Sequence, residues 1–475
     1  MSIVFDPEVG VGDFAGRRVT IVGLGKGRTT AGLARYLVSK GAHVTVTDPH
    51  RSEELAEGIG RLGVTPVELV LGPSSDDLAL AAADFVFVIP GIRPRSPTIL
   101  LALQRRIPVL TEMGLFFRLC PAPIVGITGT KGKTTTTTLV ERVLSRGTRR
   151  VVVGGNIGSG APFHELDRLR PDDVVVLELS SFQLETIGHS PHVAVVTNLL
   201  EDHLDHHGTR DAYIAAKRNI VAWQGARDIA VLNLDDPATV ALHTGAASEV
   251  RGYSLALRPK HGGYLDAQGR LVLVSGERHS VVCEATELRI PGRHNVANAL
   301  AAAIVGEIFD VPVGAIADVL REFEGVPRRL ETVGERDGVL WVNDSAATTP
   351  SATLTALGVY ERPAVVILGG VSKGADFTQL AAALAERARA AVLIGRAAGE
   401  IASAIAAADP AGRVSVRRAA SLEEAVRAAH ELALPGDVVL LSPACASTDM
   451  FSSADERGDR FTALARDLIG IPVPG

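Results

Sequence analysis

Between a short apolar run, Ile124-Val-Gly-Ile-Thr128, and a helical pattern lies Gly126-Ile-Thr-Gly-Thr-Lys-Gly-Lys-Thr-Thr135. No other ten residues constrain the fold as tightly. Glycines let backbone amides close around phosphate oxygens, and the helix that follows presents its N-terminal dipole to the same charge. In that arrangement Lys133 would meet the β- and γ-phosphates and Thr134 would reach Mg²⁺. The generic pattern places a glycine six residues before the lysine, and Ile127 stands there instead. A strand–loop–helix unit of this kind belongs to a parallel sheet with helices on its faces, so the expected class is α/β.

The rest of the chain repeats that alternation. Strand-like runs fall at Arg18–Leu24, His43–Asp48, Val67–Leu71 and Phe85–Ile89. A second set follows the Pro-bracketed Cys120-Pro-Ala-Pro: Ile124–Thr128, Val151–Val153, Val174–Leu177 and Val193–Thr197. Residues 250–290 read as antiparallel, with a turn at Ala267-Gln-Gly-Arg270, and helical patterns follow at His294–Phe309 and Val313–Phe323. A third set begins after Pro327, with Val339–Asn343, Ala364–Leu368, Ala391–Ile394 and Val438–Leu441. Three domains in series are expected: 1–119, 120–326 and 327–475.

Composition narrows the function. The net charge of −6 argues against nucleic acid as a partner, since phosphate backbones need a basic surface. No apolar run is long enough to span a bilayer, and the first residues carry neither the basic flank nor the apolar stretch of a signal peptide. Cys120, Cys283 and Cys445 are too far apart for a disulfide framework or thiolate zinc site, which fits a reducing cytoplasm. No surface patch argues for assembly, so a monomer is expected. Of 48 cationic residues, 41 are Arg and 7 are Lys, at 26, 40, 131, 133, 217, 260 and 373. Such an excess reflects base composition or heat adaptation, but lysine is also the only one of the two that can lose its proton when buried.

Further motifs carry chemistry. Gly23-Leu-Gly25-Lys-Gly27-Arg28 follows the first strand, and Asp48 ends the second, as in a dinucleotide fingerprint. Arg28 replaces the third glycine, which favours a different nucleotide over a nicotinamide or a purely structural turn. Glu178 ends a buried strand within Leu177-Glu-Leu-Ser-Ser-Phe-Gln-Leu-Glu185, where it can hold Mg²⁺ or cap a helix. Thr197-Asn-Leu-Leu-Glu-Asp-His203-Leu-Asp-His206-His207 ends the next strand. Three histidines in five residues suggest zinc, but acidic neighbours beside a phosphate loop favour Mg²⁺, and His206 and His207 read as solvated loop residues. Lys217 sits on an otherwise apolar helix face, a pattern shared by functional lysines and by surface lysines whose stems lie along apolar neighbours.

Together these motifs resemble the Mur ligase family of ATP-dependent amide-forming enzymes, over nearly the whole chain. Gly129-Thr-Lys-Gly-Lys-Thr134 looks like the family's own phosphate loop, which accounts for Ile127. Gly155-Asn156-Ile-Gly158, Glu178–Glu185, Glu201–Asp205, Gly292-Arg-His-Asn-Val-Ala-Asn298, Asn343-Asp344-Ser345 and Leu441-Ser-Pro-Ala-Cys-Ala-Ser447 follow in the family order. The SFQLE and SPACAS runs, with Glu456-Arg-Gly-Asp-Arg-Phe461, point to the MurD branch.

The resemblance implies a Rossmann-like N-terminal domain, a central P-loop domain with a small extra β-segment, and a Rossmann-like C-terminal domain. The first would bind the uridine diphosphate of the substrate through Gly25, Lys26, Asp48 and Gly91, with Asn156 from the second. ATP would be held by Gly129, Thr130, Lys131, Gly132, Lys133, Thr134 and Thr135, with Asn298, Arg329 and Asp344. Thr134, Glu178, His203 and Lys217 would hold two Mg²⁺ ions. The family lysine matching Lys217 is usually carbamylated. Thr348, Lys373 and Ser447 would receive glutamate.

The implied reaction adds D-glutamate to UDP-N-acetylmuramoyl-L-alanine in peptidoglycan precursor synthesis, by way of an acyl phosphate, with closure of the domains around the ligands. Three positions depart from the family pattern. Ala346 stands where many relatives carry Lys, Ala454 where an aromatic is common, and Ile89 where a serine precedes Pro90-Gly91. The first two lie toward glutamate, which leaves an L-glutamate-adding sister ligase as the alternative, beside other Mur steps and folate polyglutamylation. A dehydrogenase or a nucleotide-gated binding protein would have no use for Glu178, His203 and Lys217 beside a complete phosphate loop.

Overall fold

The computed structural model describes residues 5, 7, 9–73, 75–158, 160–372 and 374–470. The chain divides into two compact units, Met1–Leu288 with Arg293–Phe323, and Arg289–Gly292 with Glu324–Gly475.

The first unit holds two sheets. Strands β1 (Arg18–Val22), β2 (His43–Asp48), β3 (Val67–Leu71), β4 (Phe85–Val88) and β5 (Val109–Thr111) form a parallel sheet in the order β3-β2-β1-β4-β5. Their β-branched and aromatic residues suit a sheet covered on both faces. The helix Arg28–Ser39 covers one face, burying Ala31, Leu33, Ala34 and Leu37. Strand order reverses between β1 and β4, and at such a switch point the loops diverge and leave a crevice at the carboxyl ends. The Gly23–Gly27 loop and Ile89–Gly91 leave from there.

The second sheet has nine strands. These are β6 (Ile124–Thr128), β7 (Val151–Gly155), β8 (Val174–Glu178), β9 (Val193–Val196), β10 (Ile229–Asn233), β11 (Glu249–Ser254), β12 (His261–Leu265), β13 (Arg270–Ser275) and β14 (Arg278–Glu284). Their order is β14-β13-β12-β11-β10-β9-β6-β8-β7. The strands from β7 to β12 pair in parallel, while β12, β13 and β14 form the antiparallel extension expected from residues 250–290. Its turn is fixed by Asp266, whose Oδ1 accepts from the Gln268 and Arg270 amides, with Gly269 at φ 79°. Helices Lys133–Leu144 and Arg293–Ile308 pack closely: a Cβ on Gly306 would lie 2.6 Å from Val143. Phe163 joins the two sheets' domains, with ring centroids 4.7 Å from Tyr36 and 5.7 Å from Phe116.

The second unit is a six-stranded sheet of β15 (Glu331–Arg336), β16 (Val339–Asn343), β17 (Ala364–Gly369), β18 (Ala388–Ile394), β19 (Ser415–Arg418) and β20 (Val438–Leu441), in the order β15-β16-β20-β17-β18-β19. Only the edge strand β15 is antiparallel to its neighbour. Trp341 and Phe461, both fully buried, pack across the sheet–helix interface with centroids 6.2 Å apart. Among the described residues no helix is long and apolar enough to cross a membrane.

Candidate active site

Strand β6 runs between β9 and β8, so three loops leave the same sheet edge side by side: the phosphate loop, the segment after Glu178 and the segment after Val196. The phosphate loop is held from the β9 side. Asn198 accepts from the Thr130 amide through its carbonyl at 2.8 Å and from the Lys131 amide through Oδ1 at 2.9 Å. Thr197 Oγ1 donates to the Lys131 carbonyl at 2.6 Å. Two glycines are obligatory. A Cβ on Gly129, at φ 152°, would lie 1.8 Å from Thr197 Oγ1, and one on Gly132, at φ 82°, would lie 2.7 Å from Asn298 Oδ1. Asn298 is thus packed directly against the loop, with Asn295 accepting from its amide at 3.1 Å.

Gly132 caps the helix that begins at Lys133, with Thr134 and Thr135 in its first turn. Lys133 Nζ donates to the Gly129 and Thr130 carbonyls, each at 3.0 Å, curled over the loop whose amides would receive phosphate. The cradle fits a nucleoside triphosphate: its glycines leave room for oxygens, and the N-terminus of the helix that starts at Lys133 faces the same charge.

Glu178 ends β8 and is 2% exposed. Its Oε1 accepts from Asn156 Nδ2 at 2.6 Å and its carbonyl accepts from the Asn156 amide at 2.7 Å, while its buried Oε2 has no hydrogen-bond partner. A buried carboxylate oxygen left unsatisfied is the donor a divalent cation requires. The helix-capping alternative does not apply, because Ser180 caps the following helix.

Lys217 is 1% exposed, so the surface alternative fails as well. Its Nζ donates to the Gly129 carbonyl at 2.9 Å and Thr128 Oγ1 at 3.2 Å and lies 5.0 Å from the Tyr213 ring centroid. Burial, and then the like charge of Lys133, hold its pKa well below that of a free lysine, against the opposing pull of Asp202 and Glu178. His203 adopts a left-handed backbone at φ 53° and sits 4.8 Å from the Phe182 ring.

His206 and His207 do not read out as solvated loop residues. They close the helix Leu204–His207, with side chains 9% and 0% exposed, because both rings pack on Phe182.

At the β1/β4 switch point, Gly25 and Lys26 are exposed on the glycine loop, and a Cβ on Gly91 would meet open space. Asp48 is different. Its Oδ2 accepts from the Leu24 and Gly25 amides at 2.8 and 3.1 Å, and Oδ1 lies 2.7 Å from His50 Nδ1. Burial opposes its ionisation, but these bonds outweigh it and hold its pKa low. The carboxylate shapes the loop.

In the second unit, Asp344 accepts from Ser442 Oγ at 2.8 Å, and Arg329 and Thr348 are exposed. Ser447 is buried, and Lys373 lies outside the described residues. Sequence reasoning assigns no role to Arg457, which is fully buried and donates to Ser345 Oγ, the Ser345 carbonyl and the Cys445 carbonyl. Desolvation lowers its pKa to about 10. Ser345 Oγ donates in turn to the Ala454 carbonyl at 2.7 Å, so the unusual Ala346 and Ala454 flank one hydrogen bond.

The arrangement of a phosphate loop, an unsatisfied buried carboxylate and a deprotonatable lysine on one sheet edge defines an ATP-using, metal-assisted transferase or ligase. Family models agree along the chain: a Mur ligase MurD-like N-terminal domain matches residues 17–111, a Mur ligase middle domain 127–306, and a Mur ligase glutamate ligase domain 328–445. The UDP-N-acetylmuramoylalanine–D-glutamate ligase of Pelotomaculum thermopropionicum is 41% identical over 457 residues, covering 96% of this chain and 99% of its own. The enzyme of the same name from Symbiobacterium thermophilum is 40% identical over 455 residues, covering 95% and 98%. The crystal structure of the UDP-N-acetylmuramate–alanine ligase of Thermotoga maritima shares the fold, with a TM-score of 0.59 at 20% identity over 95% of this chain and 100% of that one. The chain belongs to the Mur ligase family, in its MurD branch.

Proposed function

We propose that this protein joins the amine of D-glutamate to the alanyl carboxylate of UDP-N-acetylmuramoyl-L-alanine, with ATP cleaved to ADP and phosphate, in peptidoglycan precursor synthesis. The observation that carries the chemistry is Lys217, buried and biased toward its neutral form beside the phosphate loop. The D-glutamate specificity follows the relatives, which share that name over nearly their full length. The L-glutamate alternative is not favoured. In our reading the three domains span 1–119, 120–326 and 327–475 and take the uridine nucleotide, ATP and glutamate respectively. The enzyme acts as a cytoplasmic monomer on small molecules, and its negative charge suits neither nucleic acid nor an anionic membrane.

A carboxylate is a poor acylating agent, so its oxygen first takes the γ-phosphoryl group of ATP. The amine of glutamate then attacks the acyl carbon, and phosphate leaves with the C–O electron pair. The loop amides and Lys133 hold the triphosphate, while Gly25, Lys26 and Gly91 seat the uridine diphosphate and Asn156 the acyl end. Thr134, Glu178, His203 and Lys217 would hold two Mg²⁺ ions, which offset the crowding of negative charge between carboxylate and triphosphate. A neutral Lys217 can add CO₂: its nitrogen lone pair forms the N–C bond as one C–O π pair moves onto oxygen, one amine proton leaves, and the neutral amine becomes an anionic carbamate ligand. Arginine cannot do this. Asn298, Arg329 and Asp344 complete the nucleotide site, and Thr348, Lys373 and Ser447 receive glutamate.

The test is phosphate release from ATP with UDP-N-acetylmuramoyl-L-alanine and each glutamate enantiomer. Release should require D-glutamate and vanish in Lys133→Ala. Turnover indifferent to the amino acid would overturn the ligase reading, and a preference for L-glutamate would move the chain to the sister branch.

A further inference from the structure

His206 and His207, which the ligase reading leaves without a task, converge on Glu185, the last residue of the SFQLE run. His206 Nε2 lies 2.9 Å from Glu185 Oε2, and His207 Nδ1 lies 3.8 Å from Glu185 Oε1. One ligand atom from each of the three residues falls within 4.8 Å of the others. A tetrahedral ion with bonds of about 2.0–2.2 Å needs its ligand atoms roughly 3.3–3.6 Å apart, close to the 3.8 Å between His207 Nδ1 and Glu185 Oε1.

Two further observations point to a ligand. First, the His207 side chain is fully buried, yet its Nδ1 has no hydrogen-bond partner. The other ring nitrogen, Nε2, lies 3.0 Å from Ser181 Oγ. If Nε2 carries the proton, Nδ1 presents a bare lone pair toward Glu185. A second-sphere hydrogen bond on the distal nitrogen is how metal-binding histidines are oriented. Second, the imidazoles are immobilised. The Phe182 ring lies parallel to His207 at 5.6 Å and edge-on to His206 at 4.7 Å.

We propose that Glu185, His206 and His207 form a three-ligand site for a borderline transition-metal ion of the Zn²⁺ type, distinct from the Mg²⁺ residues Thr134, Glu178, His203 and Lys217. Two imidazoles and one carboxylate suit Zn²⁺, Co²⁺ or Ni²⁺ and disfavour Mg²⁺ and Ca²⁺, which take oxygen ligands. The ion would tie the end of the helix Ser181–Leu184 to the helix Leu204–His207, and so fix the segment that presents His203 against Phe182.

Co²⁺ reports such a site through its visible d–d absorption. The full-length chain, stripped with chelator and held in excess Mg²⁺ to fill the oxygen-rich sites, is titrated with Co²⁺ alone. One equivalent should produce an intense four- or five-coordinate band that Zn²⁺ displaces. His206→Arg places a guanidinium opposite Glu185, so the carboxylate has a partner in the fold; circular dichroism checks it. That variant should weaken Co²⁺ binding at least about 100-fold, beyond the roughly 10–100-fold that loss of an outer-sphere partner costs. His207→Gln should behave alike, whereas His203→Ala should keep the band. Absence of the band in the parent protein, its persistence in folded His206→Arg, or its loss with His203→Ala would each overturn the assignment.

Discussion

Lys217 and Glu112 show how burial, as the largest influence, sets the chemistry of a single side chain. With the Lys217 amine biased toward its neutral form, Lys217→Arg should lower turnover by about 100-fold or more, because a guanidinium can neither deprotonate nor become an anionic ligand. Lys217→Ala should lose activity that short carboxylates in the assay partly restore by standing in for the carbamate. Glu112 is buried with Oε1 accepting from the Ala161 amide at 2.6 Å and Oε2 without a partner. Desolvation raises its pKa from 4.5 to about 8, against the Ala161 hydrogen bond. The fold accommodates the protonated acid. This group's contribution is therefore complete below pH 4.5 and declines as pH rises toward 8, at up to roughly 1.4 kcal/mol per unit. Urea unfolding at pH 5.5 and 8 should show a smaller loss of stability for Glu112→Gln than for the parent, and equal losses would refute the assignment. Neither residue's state is legible in sequence: Lys217 shares its local pattern with surface lysines, and Glu112 with any acidic helix start.

At the level of elements, the phosphate loop depends on the strand beside it. Gly129→Ala should cost about 1–3 kcal/mol of stability from crowding, in addition to strain at its positive φ, and abolish nucleotide binding. Removing the hydroxyl it strikes, with Thr197→Ala, should recover part of that stability; no recovery would separate the two residues. Fluorescent nucleotide titration and thermal unfolding read both effects. The sequence exposed most strands and the loop itself, because buried parallel strands are continuous apolar runs and glycine clusters mark turns. It hid the pairing. That Asn198 braces Lys131, that Asp48 is occupied by the Leu24 and Gly25 amides, and that Arg457 threads the Ser345 and Cys445 carbonyls all follow from strand order. Strand order is a long-range property that no local window contains. His206 and His207 were hidden for the same reason, since a distant Phe182 buries them.

For the whole molecule, five of seven lysines lie within the proposed nucleotide, metal or glutamate motifs, while Lys40 pairs with Asp167 at 2.8 Å and Lys260 is exposed. A non-hydrolysable ATP analogue with Mg²⁺, at 100 times its Kd, should stabilise the unit that carries the phosphate loop by about 2.7 kcal/mol. Calorimetry should show the corresponding transition move upward, and Lys133→Ala should remove the shift; an equal shift in that variant would place the nucleotide elsewhere. The position of β6 has a consequence during synthesis. Every residue of Ile124–Thr128 is buried in the finished sheet, yet the partners of Ile124 and Val125, Val175 and Val193, emerge 51 (175 − 124) and 68 (193 − 125) residues later. At ribosomal speeds of about 5–20 residues per second, that apolar strand waits roughly 3–14 s for its neighbours. For that interval the segment destined to carry the phosphate loop is an open apolar edge, able to pair with other chains until β8 and β9 arrive.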